Sequence, residues 1–207
     1  MNVFVLCTGR SGSTTFAKAC EHFTNYSSGH ETRARIIGPK ERFAYPEDHI
    51  EADNHLSMQL GHLQRHYGDE AFYVHLTRSR ERVAASFERL IDSPYSNVRA
   101  FAAGVLLEPW LKPEDVRAAC FDYVDTVNAN IEAFLTGKPL AMRMDIDEPQ
   151  PAFDQFMTRI GAQGDLEAAR RTICERHNLK SHTHYTRRKH KIKRAILRTA
   201  ERVLNRV

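Results

Sequence analysis

The chain has 207 residues, 42% of them apolar and 27% charged, an ordinary balance for one domain folded around its own core. No stretch approaches the ~20 apolar residues of a membrane span, which excludes a membrane-crossing helix. The net charge of +4 is unevenly held: residues 187–207 carry nine Lys/Arg against Glu201, which leaves 21 basic and 25 acidic residues in the remainder.

The chain opens on Val3-Phe4-Val5-Leu6-Cys7, a short apolar run whose β-branched and aromatic content predicts a strand buried on both faces. A strand this close to residue 1 leaves no room for a signal peptide, so a cytoplasmic protein is expected. Gly9, Arg10, Ser11, Gly12, Ser13, Thr14 and Thr15 follow, and a helix is predicted from Phe16. Strand, small-residue loop and helix N-terminus form a phosphate-binding arrangement. Glycines admit an anion close to the backbone, free N–H groups of the first turn point at it, and the helix dipole favours its charge. Arg10 adds a planar cation suited to phosphate or sulfate oxygens. Ser13 stands where a nucleotide-triphosphatase loop carries its Lys, which argues against ATP or GTP hydrolysis.

A second strand is predicted over 23–28, with Gly29, His30 and Glu31 in the loop at its carboxyl end, where ligands sit in parallel sheets. Residues 34–50 read as a polar surface loop. A third strand candidate, 50–55, runs into a helix with apolar residues at Leu56, Leu60, Leu63 and Tyr67. Ala71 to Leu76 is the next buried strand, followed by a helix bearing Val83, Ser86, Phe87 and Leu90. Residues 98–108 form a short helix candidate. Pro113-Glu114-Asp115 opens a long helix that Gly137 stops. Residues 139–144 give a last strand, and two helices near 151–160 and 165–176 close the domain. This alternation predicts an α/β fold, three layers around a central parallel sheet of about four to five strands. The division expected is one domain over 1–186 and a basic amphipathic helix over 187–207.

Cys7, Cys20, Cys120 and Cys174 are widely spread without a Cys-x-x-Cys pair, so buried free thiols are expected. His75 lies within an apolar strand and reads as a core histidine. No metal-ligand spacing is visible. Arg78 closes a buried strand and Ser86 lies eight positions on, two turns into a helix, so the guanidinium and hydroxyl can converge on one phosphate monoester.

Taken together, Gly9 to Phe16 and the stretch Val74 to Phe87 resemble the sulfotransferases that use 3′-phosphoadenosine 5′-phosphosulfate (PAPS). Met142 to Asp147 resembles that family's third recurring piece, a strand with an acidic turn before a helix. The resemblance implies a P-loop-like fold and PAPS as donor with 3′-phosphoadenosine 5′-phosphate (PAP) as product. It also implies a 5′-phosphosulfate held by the first loop, from Gly9 to Phe16, and a 3′-phosphate held by Arg78 and Ser86. No metal is required by this chemistry. Departures stand beside it. Arg10 replaces a common Lys, and Ser79-Arg80 replaces the usual Asp/Asn-Pro. The late Gly-x-x-Gly-x-x-Lys loop is missing, with Lys180 to Tyr185 offered in its place.

The acceptor's proton needs a base. Glu31 is the first choice, since several groups of the family carry a catalytic Glu in this region; His30 is second, and His55 is a third candidate. Arg10 is expected to neutralise the leaving phosphate and the transferring sulfuryl group. The acceptor class stays open among glycan, lipid, peptide and small metabolite, with 34–55 and 92–112 expected to line its pocket. The basic tail reads as a helix packed with its cationic face near the cofactor. A peripheral membrane contact comes next, and nucleic acid is the least favoured partner. Two alternatives are a non-catalytic nucleotide- or anion-binding module of the same fold and a small-molecule kinase, the latter weakened by the absent loop Lys.

Overall fold

The computed structural model describes residues 1–93 and 95–175; Lys180 and the tail over 187–207 lie outside the described residues. The elements run in the order β1 (Val3–Leu6), α1 (Ser13–Cys20), β2 (Ser27–His30), α2 (Pro39–Arg42), β3 (His49–Ala52), α3 (Leu60–His66), β4 (Phe72–Thr77) and α4 (Arg80–Leu90). They continue with α5 (Asn97–Gly104), α6 (Val116–Leu135), β5 (Ala141–Asp145), α7 (Gln150–Ile160) and α8 (Leu166–Ile173). All five strands are parallel in one sheet of order β2-β3-β1-β4-β5. Helices cover both faces, giving the three-layer α/β/α architecture expected.

The unbroken apolar run of β1 has a simple cause. Successive side chains point to opposite faces of a strand, and both faces here are covered. Val3 and Val5 pack with Phe16 of α1, Phe153 and Phe156 of α7 and Ile173 of α8. Phe4 and Leu6 pack with Val83 and Phe87 of α4 and Tyr123 and Val127 of α6. Placing β1 at the centre also fixes the site. The chain leaves β1 for β2 and β3 on one side, then crosses to β4 and β5 on the other. Ligands in open parallel sheets bind outside the carboxyl ends of the strands, at such a reversal of strand order.

Several local expectations shift. The second strand is Ser27–His30 rather than 23–28, so Gly29 and His30 are sheet residues. Phe23 instead forms an antiparallel bridge to Gly164, and the Thr24 N–H donates to the Gln163 carbonyl, tying this stretch to the turn between α7 and α8. The third strand ends at Ala52. Asp53 then caps a 3-10 turn over Asn54–Met58 by accepting from the His55 N–H, and the α-helix starts only at Leu60. The long helix begins as a 3-10 turn over Pro113–Asp115. Cys7, Cys20 and Cys120 are buried free thiols, but Cys174 is exposed at the end of α8, contrary to expectation. His75 is buried, bonded to Asn128 Oδ1 at 3.0 Å, and burial lowers its pKa, as befits a core histidine.

Candidate functional site

The carboxyl ends of all five strands open into one cleft of ≈ 810 Å³. That size suits a nucleotide or a comparably large ligand. Strand β1 delivers the loop of Gly9, Arg10 and Gly12, β2 delivers His30 and Glu31, and β3 delivers Asn54 and His55. From the other side β4 delivers Arg78 and β5 delivers Ile146 and Asp147.

The loop after β1 turns directly into α1, which starts at Ser13 and so takes Ser13, Thr14 and Thr15 into its first turn. Its N-cap is Gly12, which offers no side-chain acceptor to the first N–H groups. Those donors and the positive dipole end face the cleft. Gly12 is required twice over: φ is +88°, and a Cβ there would stand 2.5 Å from Ile146 Cγ1. Burial pushes the neighbouring Cys7 thiol up to about 12, so it is no nucleophile at neutral pH. Ser11 is buried and bonds Thr8 and the Gly9 carbonyl, shaping the loop from within.

Arg10 reaches across to α4, where its Nε donates to Ser86 Oγ at 2.9 Å. Arg78 donates from Nη1 to the Arg10 carbonyl at 3.2 Å. The two sequence motifs, far apart in the chain, therefore meet in space. Burial lowers the pKa of Arg10, and the charges of Arg78 and Arg89 add to that, the signature of a crowded cationic corner. One carboxylate answers it. Asp147 accepts from Arg82 Nη1 at 2.7 Å, from Arg78 Nε at 3.4 Å and from the Ser79 N–H at 3.3 Å. Burial opposes ionisation of Asp147, but these donors outweigh it and hold the carboxyl below its ordinary value. Arg82, Arg89 and Asp147 were not singled out from the sequence. The signal for the arginines was there: Arg82, Ser86 and Arg89 are spaced four and three apart, one face of the helix that follows Arg78.

The opposite wall is acidic and imidazole-rich. His30 Nε2 is shared by Ser13 Oγ at 3.0 Å and Thr14 Oγ1 at 3.2 Å, so that nitrogen is occupied in holding the start of α1. Glu31 sits in left-handed backbone, φ 53°, as does Arg10, φ 59°. Such conformations are strained for side-chain-bearing residues and concentrate at functional sites. The turn that fixes Glu31 is clamped from below. Thr32 donates its N–H and its hydroxyl to the fully buried Glu51 carboxylate at 2.7 and 2.6 Å, and His49 Nε2 bonds the same group at 2.9 Å. Glu31 Oε1 lies 3.9 Å from His30 Nε2. His55 has a different support. Its Nδ1 lies 2.7 Å from Oδ1 of Asp53, a residue with no exposed surface. The Asp53 hydrogen bond raises the His55 pKa, burial opposes it, and the charges of Asp53 and Glu31 add to the rise.

All described candidates thus line or border one cleft, apart from the loop residues Ser11 and Phe16, which are buried beneath it. Of the stretches expected to line an acceptor pocket, Asn54, His55, Ser93, Tyr95, Ser96 and Asn97 do so, and the other described residues of 34–55 and 92–112 do not. No family model, no curated protein and no solved structure matches this chain. Among the described residues, no helix is long and apolar enough to cross a membrane.

Proposed function

We propose that this chain is a sulfotransferase that moves a sulfuryl group from PAPS to an acceptor hydroxyl or amine. The observation that carries the reading is the Arg10–Ser86 hydrogen bond with Arg78 on the Arg10 carbonyl, which joins a helix-N-terminal anion site to a guanidinium–hydroxyl anion site. Two anion sites in one nucleotide-sized cleft suit a nucleotide phosphorylated at both ends. The 5′-phosphosulfate takes the N–H groups and hydroxyls of Ser13 to Thr15. The 3′-phosphate takes Arg78 and Ser86, with Arg10 between the two.

Transfer then runs in line. The acceptor oxygen or nitrogen attacks sulfur, the bond from sulfur to the phosphate oxygen breaks, and PAP leaves with that electron pair. The acceptor's proton passes to a base. His55 is the base best equipped for this, because the buried Asp53 orients the ring through Nδ1 and stabilises the imidazolium that forms. Glu31, the first choice on sequence, lines the same wall without such support. His30 fits a positioning role better, since its Nε2 is engaged by two hydroxyls. Ser13 at the position of a phosphate-binding Lys weighs against the kinase alternative. The acidic wall opposite the anion sites weighs against a module that only binds. The cytoplasm remains the proposed compartment, and the acceptor may be sought among glycans, lipids, peptides and metabolites by screening with labelled PAPS.

Calorimetry with PAP and with adenosine 5′-phosphate tests the reading. PAP is expected to bind at micromolar affinity or tighter and the monophosphate at least tenfold more weakly, since a charge-assisted contact set contributes about 1.5–3 kcal/mol. Equal affinity removes the second anion site and with it the assignment of the donor.

A further inference from the structure

We infer that Glu31, Asp53 and His55 form a binding site for one divalent ion of the zinc and cobalt class at the acceptor side of the cleft. Each of the three offers a ligand atom within 4.8 Å of the other two. Ligands of a tetrahedral ion with bonds of about 2.1 Å stand roughly 3.4 Å apart, so a small inward movement of side chains closes the set. The closure involves little backbone change, because Asp53 is locked at the end of β3 by its cap on the 3-10 turn and Glu31 by the clamp on Thr32.

A second observation points to a ligand. Asp53 is fully buried, and its Oδ1 serves the N–H and the ring of His55. Its Oδ2 is equally buried and has no hydrogen-bond partner among the described residues. A buried carboxylate oxygen left without a donor is costly, and such groups call for a water or an ion. A cation shared with Glu31 and His55 supplies the missing partner and offsets two carboxylates at once.

The donor set selects the kind of ion. One imidazole nitrogen with two carboxylate oxygens suits zinc and its first-row neighbours better than magnesium or calcium, which favour oxygen alone. Three protein ligands leave a fourth position, and Glu31 and His55 both line the cleft, so that position opens toward it. The inference does not depend on nucleotide binding: it uses the acidic wall, whereas the nucleotide uses the loop, Arg78 and Ser86. It does bear on the proposed base. A ring nitrogen that holds an ion cannot take a proton, so in the ion-bound form His55 would be a ligand and the acceptor's proton would need another base.

The test uses the full chain, freed of metal with a chelator and then dialysed. Cobalt titration is followed by visible absorption, and zinc titration by calorimetry. We expect one ion per chain at micromolar affinity or tighter, with cobalt bands of four- or five-coordinate intensity. His55→Ala and Asp53→Asn should abolish the bands, and Glu31→Gln should weaken binding at least tenfold. Glu31 is partly exposed, so its variant keeps the test valid if Asp53→Asn fails to fold. The double variant His182→Ala, His184→Ala controls for the histidines of the C-terminal stretch and should leave the signal unchanged. Overturning results are octahedral cobalt bands alone, no binding below 100 micromolar, on the order of the weakest specific sites, or a signal lost in the double variant and kept in Glu31→Gln. PAP calorimetry on the same sample separates the two readings, because nucleotide binding can fail while the ion binds, and the reverse.

Discussion

The two walls of the cleft are built in opposite ways. The cationic wall takes Gly9, Arg10 and Gly12 from one loop, Ser13 to Thr15 from the start of α1, and Arg78, Arg82, Ser86 and Arg89 from one strand end and the helix after it. The acidic wall takes one residue from the end of β2 and two from the turn after β3, and those strands are neighbours only because the sheet order is β2-β3-β1. One wall is a pair of local motifs, whereas the other is a product of topology. The contrast teaches where different chemistries are set up: the first wall gathers donors suited to an anion, and the second carries an imidazole oriented by a buried carboxylate.

Variants can break or sharpen this division. The largest effect belongs to the acidic wall. His55→Asn should lower transfer by about 10²–10⁴-fold while PAP affinity stays unchanged; Glu31→Gln, measured alongside, should cost less. A reversed ranking in steady-state kinetics reassigns the base to Glu31. Next is Gly12→Ala, which strains a left-handed residue and drives a methyl group into Ile146. We expect about 1–3 kcal/mol of lost stability in chemical denaturation, together with weakened PAP binding, although no charge is changed. Arg78→Ala follows, weakening PAP by about 10–100-fold and adenosine 5′-phosphate hardly at all, so that the preference between them disappears in calorimetry. Smallest is Ser86→Ala, which removes one neutral hydrogen-bond partner of Arg10 and should weaken PAP by about fivefold.

The same contrast explains what could be read from the chain. The layer architecture was legible because β1 and β4 are apolar runs flanked by helical periodicity, and each keeps its predicted place. Of the cationic wall, the first loop, Arg78 and Ser86 were legible because strand end, loop and helix start are contiguous in sequence, whereas Arg82 and Arg89 were passed over. The second strand was misplaced because its residues, Ser27 to His30, lack the apolar character of a buried strand. It lies at the sheet edge, where the Ser27 hydroxyl pairs with His49 Nδ1 and the Ser28 hydroxyl donates to the Ala17 carbonyl. Asp53 went unnoticed because nothing local marks a carboxylate that works through His55 two residues on. Asp147 was read only as the end of an acidic turn, and its pairing with the arginines was missed because they lie more than sixty residues away.

Asp147 has one further consequence. It already accepts from Arg78, Arg82 and the Ser79 N–H, so an arriving phosphate finds these donors in use. On the proposed reading, uptake of the nucleotide is an exchange of anions. The guanidinium corner would trade an internal carboxylate for an external phosphate, and the change in net charge felt by the surrounding electrolyte would be smaller than the two arginines alone would give. Affinity for the nucleotide should accordingly fall only gently as salt is raised, and the carboxylate released from the corner is free to repel a second anion from the same place.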